Sequence, residues 1–452
     1  MAEKPPNTSL NTEKINDYIH YVVWPLKLVA CWDWYPNPTQ LYQDMINNIH
    51  LALVLFVLVH TPIALFVHLY IEWVDVMSSL KTIADGLPPV VSTAIVAYFG
   101  MFKKDLYELV DYMNSNFKYH SARGLTNMTM LKSYASAKRF AHVYTASTIS
   151  SVSIYVFLPV FLHLWTKEPL QPWIYTNADH SPFFEMVFLR QCLVQAFIGL
   201  AMGQLGVFFA SNAILICGQL DLLCCTARNV RFTALLSNGV RHDCLRKQFS
   251  MIQDDEEHSY LYNVAEIKDS VYHYDRKVDM SSVNKKTHFD IYSPEYDAAT
   301  DEALAECARM NQIVQRYIEL FERFVSPLVA VRVVQVTLYM CTLLYAATEK
   351  FDLITGEYLM AVALDIFIYC YFGHQITLQT DNVSMALYQS NWPSMGGKTR
   401  RMLLNCLLST KRATDVRAAR FLPMNLHTYI AIVKNSFSYY TLLVNVNERK
   451  KG

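Results

Sequence analysis

Residues 49–73 read IHLALVLFVLVHTPIALFVHLYIEW, from Ile49 to Trp73, and contain no Lys, Arg or Asp. A helix rises about 1.5 Å per residue and the hydrocarbon core of a bilayer is about 30 Å thick, so this run predicts a membrane-spanning helix. Pro62 within it is tolerable, because neighbouring helices can cover the carbonyl it frees. The stretch sets the fold class: an all-α membrane protein, with this segment as its first span.

Working outward, six further segments qualify or nearly qualify. Ser78–Phe102 is interrupted by Lys81, Asp85, Gly86 and the Pro88–Pro89 pair, which predicts a kinked helix packed inside a bundle. Phe140–Trp165, Phe184–Leu220, Phe324–Thr348 and Tyr358–Leu378 are spans three to six, the fourth span being long enough to project beyond the bilayer. His427–Val446 (HTYIAIVKNSFSYYTLLVNV) is the seventh, and its polarity points to a buried position. The chain then divides into 1–46, expected to hold an amphipathic helix; 47–220 with spans one to four; a connection 221–323; 324–380 with spans five and six; 381–424; and 425–452 with span seven and a short tail.

Composition agrees, with 53% hydrophobic and only 17% charged residues in 452. Formal net charge is zero, without the clustered Lys and Arg that a nucleic-acid footprint requires, so nucleic acid is not expected as a partner. Met1–Thr12 lacks an apolar core, so no cleavable signal peptide is expected and the first span directs insertion. Lys and Arg give the orientation. The amino-terminal side of the spans carries thirty, the opposite side five, and Lys81, Arg190, Arg332 and Lys434 lie within spans. That bias places the amino terminus in the cytoplasm and, after seven crossings, the carboxyl terminus outside.

This orientation is the reverse of a G-protein-coupled receptor. The ten cysteines all fall within spans or on the inner side, where small buried or reduced thiols are expected rather than disulfides or metal ligands. Sequons at Asn7, Asn127 and Asn382 also fall inside and are expected to go unused. No phosphate-cradling Gly-x-x-x-x-Gly-Lys, His-Glu-x-x-His, Gly-x-Ser-x-Gly or kinase set is present, and 13 glycines leave little for a nucleotide loop. No enzyme activity, cofactor or metal is expected; His60 and His68 read as packing residues. The paired broken helices of an inverted-repeat transporter are not visible.

Charged groups at membrane depth are costly and draw attention. Lys81 and Arg190 sit near span ends, where snorkelling explains them. Arg332 and Asp365 lie deeper, opposite in sign on consecutive spans, and read as a structural ion pair rather than a gate. In span seven, Lys434, Ser438, Thr441 and Asn445 are spaced by four, three and four, one stripe of a helix. Such a stripe suits either the wall of an aqueous pore or a hydrogen-bonded contact between helices. Leu442 beside it is placed to narrow a pore by dewetting. A ligand pocket is expected in the outer halves of the middle spans. Candidates are Leu80 and Ile83 on span two; Ser153, Tyr155 and Phe157 on span three; Cys192, Gln195 and Ala196 on span four; and Tyr358, Val362 and Ile366 on span six. Ordinary core packing is the competing explanation for each.

Asn435–Asn445 (NSFSYYTLLVN) resembles the closing signature of the insect odorant receptor family, in which a Ser-Tyr-aromatic-Thr-Leu-Leu run ends span seven. Pro25–Pro36 (PLKLVACWDWYP) resembles its pre-membrane segment, and Tyr369–Ile376 (YCYFGHQI) the inner end of its span six. Gustatory relatives end span seven with a different Thr-Tyr and Gln-Phe pattern, from which Ser438-Tyr439-Tyr440 departs. The resemblance implies a tetramer around a central pore lined by the seventh spans. It also implies a cytoplasmic anchor that includes Leu403–Leu408, and volatile odorants that bind the outer pocket and open a non-selective cation path. Leu442 would then be the gate and Asn445 near the outer vestibule, while Lys434 would face the wide inner vestibule or a neighbouring helix. The partners implied are odorants, membrane lipid and co-receptor subunits, at the plasma membrane of olfactory sensory neurons. The 221–323 connection is long for a ligand-tuning subunit, and its acidic run Asp254-Asp255-Glu256-Glu257 reads as disordered. The span-seven ending favours a tuning subunit, with a self-sufficient homotetramer left open. A gustatory-type channel is the alternative, followed by a metabotropic receptor or transporter.

Overall fold

The computed structural model describes residues 17–71, 73, 76–126, 128–166, 183–249, 286–349, 353–410 and 414–451. The acidic run at 254–257, the segment Met1–Thr12 and the sequons at Asn7 and Asn127 lie outside these residues.

The described chain is almost entirely helical. A short helix α1 (His20–Leu28) precedes α2 (Leu41–Ile71), α3 (Val76–Met101), α4 (Lys103–Asn116), α5 (Leu131–Thr166) and the 46-residue α6 (Phe183–Arg228). Two short helices follow, α7 (Val230–Ser237) and α8 (His242–Gln248). Then come the 53-residue α9 (Asp297–Glu349), α10 (Leu353–Tyr388), α11 (Gly397–Thr410) and α12 (Leu426–Lys451). Between α11 and α12, β1 (Arg417–Ala418) pairs antiparallel with β2 (Leu422–Pro423).

Five of these helices contain stretches long and apolar enough to cross a membrane: Leu41–Ile71, Leu131–Trp165, Phe184–Arg228, Pro294–Tyr345 and Leu359–Tyr388. Gly86–Met101 forms a shorter apolar helix. Two expected spans, in α3 and α12, fall outside the five. Helix α3 runs unbroken through Pro88–Pro89, and the Ser92 and Thr93 hydroxyls donate to the Pro89 carbonyl at 3.0 and 2.7 Å. The two hydroxyls thus satisfy themselves within their own helix rather than across to a neighbour.

Helix α6 is the axis of the bundle, packing most extensively on α5 and α10 and also touching α1, α2, α3 and α9. Its apolar residues meet those of its neighbours in an aromatic layer. Phe208 lies 6.0 Å from Phe324, Phe209 lies 5.4 Å from Phe321 and 5.2 Å from Tyr369, and Phe99 of α3 closes the layer 5.3 Å from Phe324. Glycines let α5 and α6 approach closely. A Cβ at Gly199 would fall 2.3 Å from Val152 Cγ2, and one at Gly203 2.6 Å from Thr148 Cγ2, the small-xxx-small pattern of membrane helix contacts.

The segment before α2 is tied down by its own motif. Lys103 pairs with Asp33 at 2.5 Å, and the Tyr107 hydroxyl donates to the other Asp33 oxygen at 3.0 Å. Asn47 holds the Tyr35 backbone from both sides, donating to its carbonyl at 2.9 Å and accepting from its amide at 3.2 Å. On the same side of the bundle, α6 and α9 extend past their apolar stretches and pack with α7 and α11. Burial raises the Asp301 carboxyl there, and hydrogen bonds from Lys398 (2.9 Å) and Thr399 (2.7 Å) outweigh it, holding the group below the usual carboxylate range. Arg231 of α7 is wholly buried. Its guanidinium donates to the Ile291 and Ser293 carbonyls, Asp297 Oδ1 and Thr300 Oγ1, all at 2.7–3.0 Å. Val240 and Lys286 pair in a parallel bridge, so the two edges of the 250–285 segment meet.

Gly373 gives a direct test of packing between α10 and the entry to α12. A Cβ there would sit 2.3 Å from the Met424 backbone oxygen, which cannot rotate away, whereas one at Gly86 would meet only Leu65 at 3.9 Å. Gly373→Ala is expected to cost about 1–3 kcal/mol by overpacking and to lower the melting temperature of the detergent-solubilised protein. Gly86→Ala is expected to leave it unchanged or raise it.

Candidate functional site

Six helices line a partly open cavity of about 300 Å³, at the small end of the roughly 300–1,000 Å³ range of ligand sites. It lies toward the end of the bundle where α5 stops and α6 starts. Helix α2 contributes Thr61 and Leu65, and α3 contributes Pro88 and Pro89. The α5 wall is Ser151, Val152 and Tyr155; the α6 wall is Gln195, Ile198, Gly199 and Met202. Arg332, Gln335, Val336 and Tyr339 of α9, with Ala361 and Val362 of α10, complete it. The close contact of Gly199 with Val152 forms one corner, so the glycine that lets α5 and α6 approach also shapes the cavity.

Three of the sequence candidates, Tyr155, Gln195 and Val362, line this cavity. Ser153, between the lining residues Val152 and Tyr155 but outside the lining, donates its hydroxyl to the Ile149 carbonyl at 2.7 Å. Phe157 is 66% exposed on the outer surface of α5, and Ile366 is buried in the core one turn from Val362. Ile83, Cys192 and Ala196 are half-buried on their helices and outside the lining. The side chains of Leu80 and Tyr358 lie outside what is described. The expected pocket drew on spans two, three, four and six, so Thr61 and Leu65 of α2 and the α9 wall, where Arg332 reads as an ion-pair member, fall outside it. The Arg332-x-x-Gln335 spacing was the available signal, since residues three apart share a helical face.

Arg332 and Asp365 do meet, as the signs and adjacency of their spans predicted. The guanidinium Nη2 bonds Asp365 Oδ2, and Nη1 bonds Gln335 Oε1. The two charged residues are only 4% and 7% exposed, so this is a buried pair set in the wall of the cavity. On α12 the arrangement differs. Lys434, Ser438, Thr441, Leu442 and Asn445 are all exposed on the single chain, whereas Ile432 and Ser436 turn inward. The Ser436 hydroxyl donates to the Ile432 carbonyl at 2.9 Å and lies 3.4 Å from the Thr337 carbonyl of α9. The ten cysteines are free thiols, and Asn382 lies exposed on α10, its amide 3.0 Å from Gln379.

Removing one member of a buried ion pair leaves a charge without compensation, at a cost of about 3–5 kcal/mol. Arg332→Ala and Asp365→Ala are each expected to shrink the monodisperse peak in fluorescence size-exclusion chromatography, and the paired change Arg332→Met with Asp365→Leu to recover it. Single changes without effect would contradict the buried pairing.

A family model described as 7tm Odorant receptor matches residues 90–437. Putative odorant receptor 85e of Drosophila melanogaster is 21% identical over 429 residues, covering 92% of this chain and 88% of that protein. Odorant receptor 83a of the same fly is 22% identical, with 79% and 78% covered. Among solved structures, the olfactory receptor OR5 of the insect Machilis hrabei in complex with eugenol superposes with a TM-score of 0.66 at 15% identity, covering 95% of this chain and 99% of that one. A second structure of the same receptor gives 0.65. These are receptors rather than enzymes, and the apolar helices described above make the chain a multi-pass membrane protein. With the family match extending over most of its length, the chain belongs to the seven-transmembrane odorant receptor family.

Proposed function

We propose that this protein is a subunit of an odorant-gated, non-selective cation channel, with volatile ligands held in the six-helix cavity and ions passing along the exposed stripe of α12. The observation that carries the reading is the separation of the two sites within one family member. The cavity is lined by this chain's own helices, while the α12 stripe is left uncovered by them. A polar stripe at a membrane helix is costly against lipid, and copies of the chain arranged about an axis would turn it toward water. In a tetramer four such stripes line a central pore, with Leu442 as its hydrophobic constriction and Asn445 near the outer mouth.

The orientation follows the excess of Lys and Arg on the amino-terminal side, giving a cytoplasmic amino terminus and seven crossings, α3 and α12 among them. Residues 1–46 and 221–323, the latter with the inner extensions of α6 and α9, are then cytoplasmic, and 381–424 with α11 builds the anchor between subunits. Residues 47–220 and 324–380 hold spans one to six, and 425–452 the pore helix and a short outer tail. The closing signature of α12 supports a tuning subunit working with co-receptor copies at the plasma membrane of olfactory neurons. Eugenol in the Machilis receptor supports a small volatile ligand for this one.

Patch recording in excised membrane without GTP tests the reading. Val362→Trp, which fills the cavity, is expected to abolish ligand-evoked current at unchanged surface expression; a retained response would place the ligand elsewhere. Leu442→Ala is expected to raise the closed-state leak several-fold, and an unchanged leak and conductance would remove Leu442 from the gate. Currents from the chain alone would make it a homotetramer, and currents only with the co-receptor a tuning subunit.

A further inference from the structure

Three side chains of the cavity wall carry polar groups that no protein group among the described residues satisfies. Thr61 Oγ1 is buried on a residue 2% exposed, and unlike most membrane threonines it bonds no carbonyl of its own helix. Gln335, 3% exposed, gives its Oε1 to Arg332, which leaves its Nε2 amide without a hydrogen-bond partner among the described residues. Gln195 on α6 likewise makes no side-chain hydrogen bond among them. Buried polar groups are paired in the great majority of cases, and each exception calls for an explanation. Here the buried Thr61 and Gln335 and the half-buried Gln195 converge on one cavity from α2, α9 and α6.

The charge at the wall points the same way by its cancellation. Arg332 is balanced by Asp365, so the cavity offers hydrogen-bond donors but no net charge. A carboxylate entering would lose its hydration and gain no unpaired cation. A hydrocarbon entering would displace whatever water satisfies Thr61, Gln195 and Gln335 and leave them dry, which costs more than its apolar contacts with Leu65, Ile198 and Val336 return. An uncharged molecule with one acceptor oxygen on an apolar skeleton satisfies both constraints.

Resting on the assignment of this cavity as the ligand site, we infer that it selects neutral oxygenated volatiles, ketones and esters above all, over hydrocarbons of the same shape and over carboxylates. Thr61 and the amides of Gln195 and Gln335 donate to the ligand oxygen, and the apolar wall receives the skeleton. A site built to hydrogen-bond a ligand group discriminates strongly against an isostere lacking it, because the site's own donors are then stranded.

The test uses the full chain in lipid nanodiscs, with ligand binding read as a shift in melting temperature. The probes are acetophenone against alpha-methylstyrene and cyclohexanone against methylenecyclohexane, pairs differing by oxygen against methylene, with benzoate as the carboxylate. At least one ketone is expected to bind roughly tenfold or more tightly than its alkene partner, and benzoate not to bind. In Thr61→Val with Gln195→Leu, ketone affinity is expected to fall to that of the alkene, whose own affinity is unchanged. Alkenes binding as tightly as ketones, with Val362→Trp abolishing both, would overturn the selectivity while leaving the cavity as the site. Ketone binding that survives Val362→Trp, or no ketone binding at all, would overturn both.

Discussion

Hydrocarbon supplies no water to a stranded backbone amide or to an unpaired charge, and every departure from a plain apolar helix in this protein is arranged around that constraint. The Ser92 and Thr93 hydroxyls of α3 are satisfied by the Pro89 carbonyl of their own helix. The guanidinium of Arg332 is taken by Asp365 and Gln335. Buried polar atoms without a partner occur in the cavity wall, at Thr61 Oγ1 and Arg332 Nε, and elsewhere in the bundle, at Gln204 Oε1 and Thr233 Oγ1, while a polar stripe is left exposed along α12; function is assigned to the cavity and the stripe. The same bookkeeping of donors and acceptors thus accounts for the stability of the bundle and for its sites.

The glycines connect these levels. Gly199 and Gly203 bring α5 against α6, and the resulting corner at Val152 bounds the cavity. Helix α9 carries cavity residues at 332–339 while Thr337 of the same turn lies beside Ser436 of α12. At its other end α9 begins in the Arg231 cluster, where Asp297 also accepts the Gly396 amide at 3.3 Å and so reaches the entry to α11. One 53-residue helix therefore borders the cavity, the α12 contact and the layer that α7 and α11 form.

Much of this was legible in the sequence. Spans of high apolarity needed only length and composition, and the opposite signs of Arg332 and Asp365 sufficed to pair them. The pocket was legible by region but not by residue, for reasons of helical geometry. Successive residues turn by about 100°, so Tyr155 can face the cavity while Phe157, two residues on, is exposed on the outer surface. Ile366 shares a face with Val362 but sits one turn further along, in the aromatic core rather than beside the cavity. Thr61 was hidden because one hydroxyl in an apolar run carries no periodic signal. The first half of α9 was hidden within a connection, since its pattern is amphipathic rather than apolar and hydropathy alone does not register it.

The most direct test is a cryo-electron microscopy structure of the assembled protein in lipid nanodiscs with a ketone present. The account predicts ligand density bounded by Thr61, Gln195 and Gln335 within each subunit, and Ser438, Thr441 and Asn445 of every copy turned toward one shared axis. Ligand density outside an empty cavity, or α12 stripes facing lipid, would contradict it.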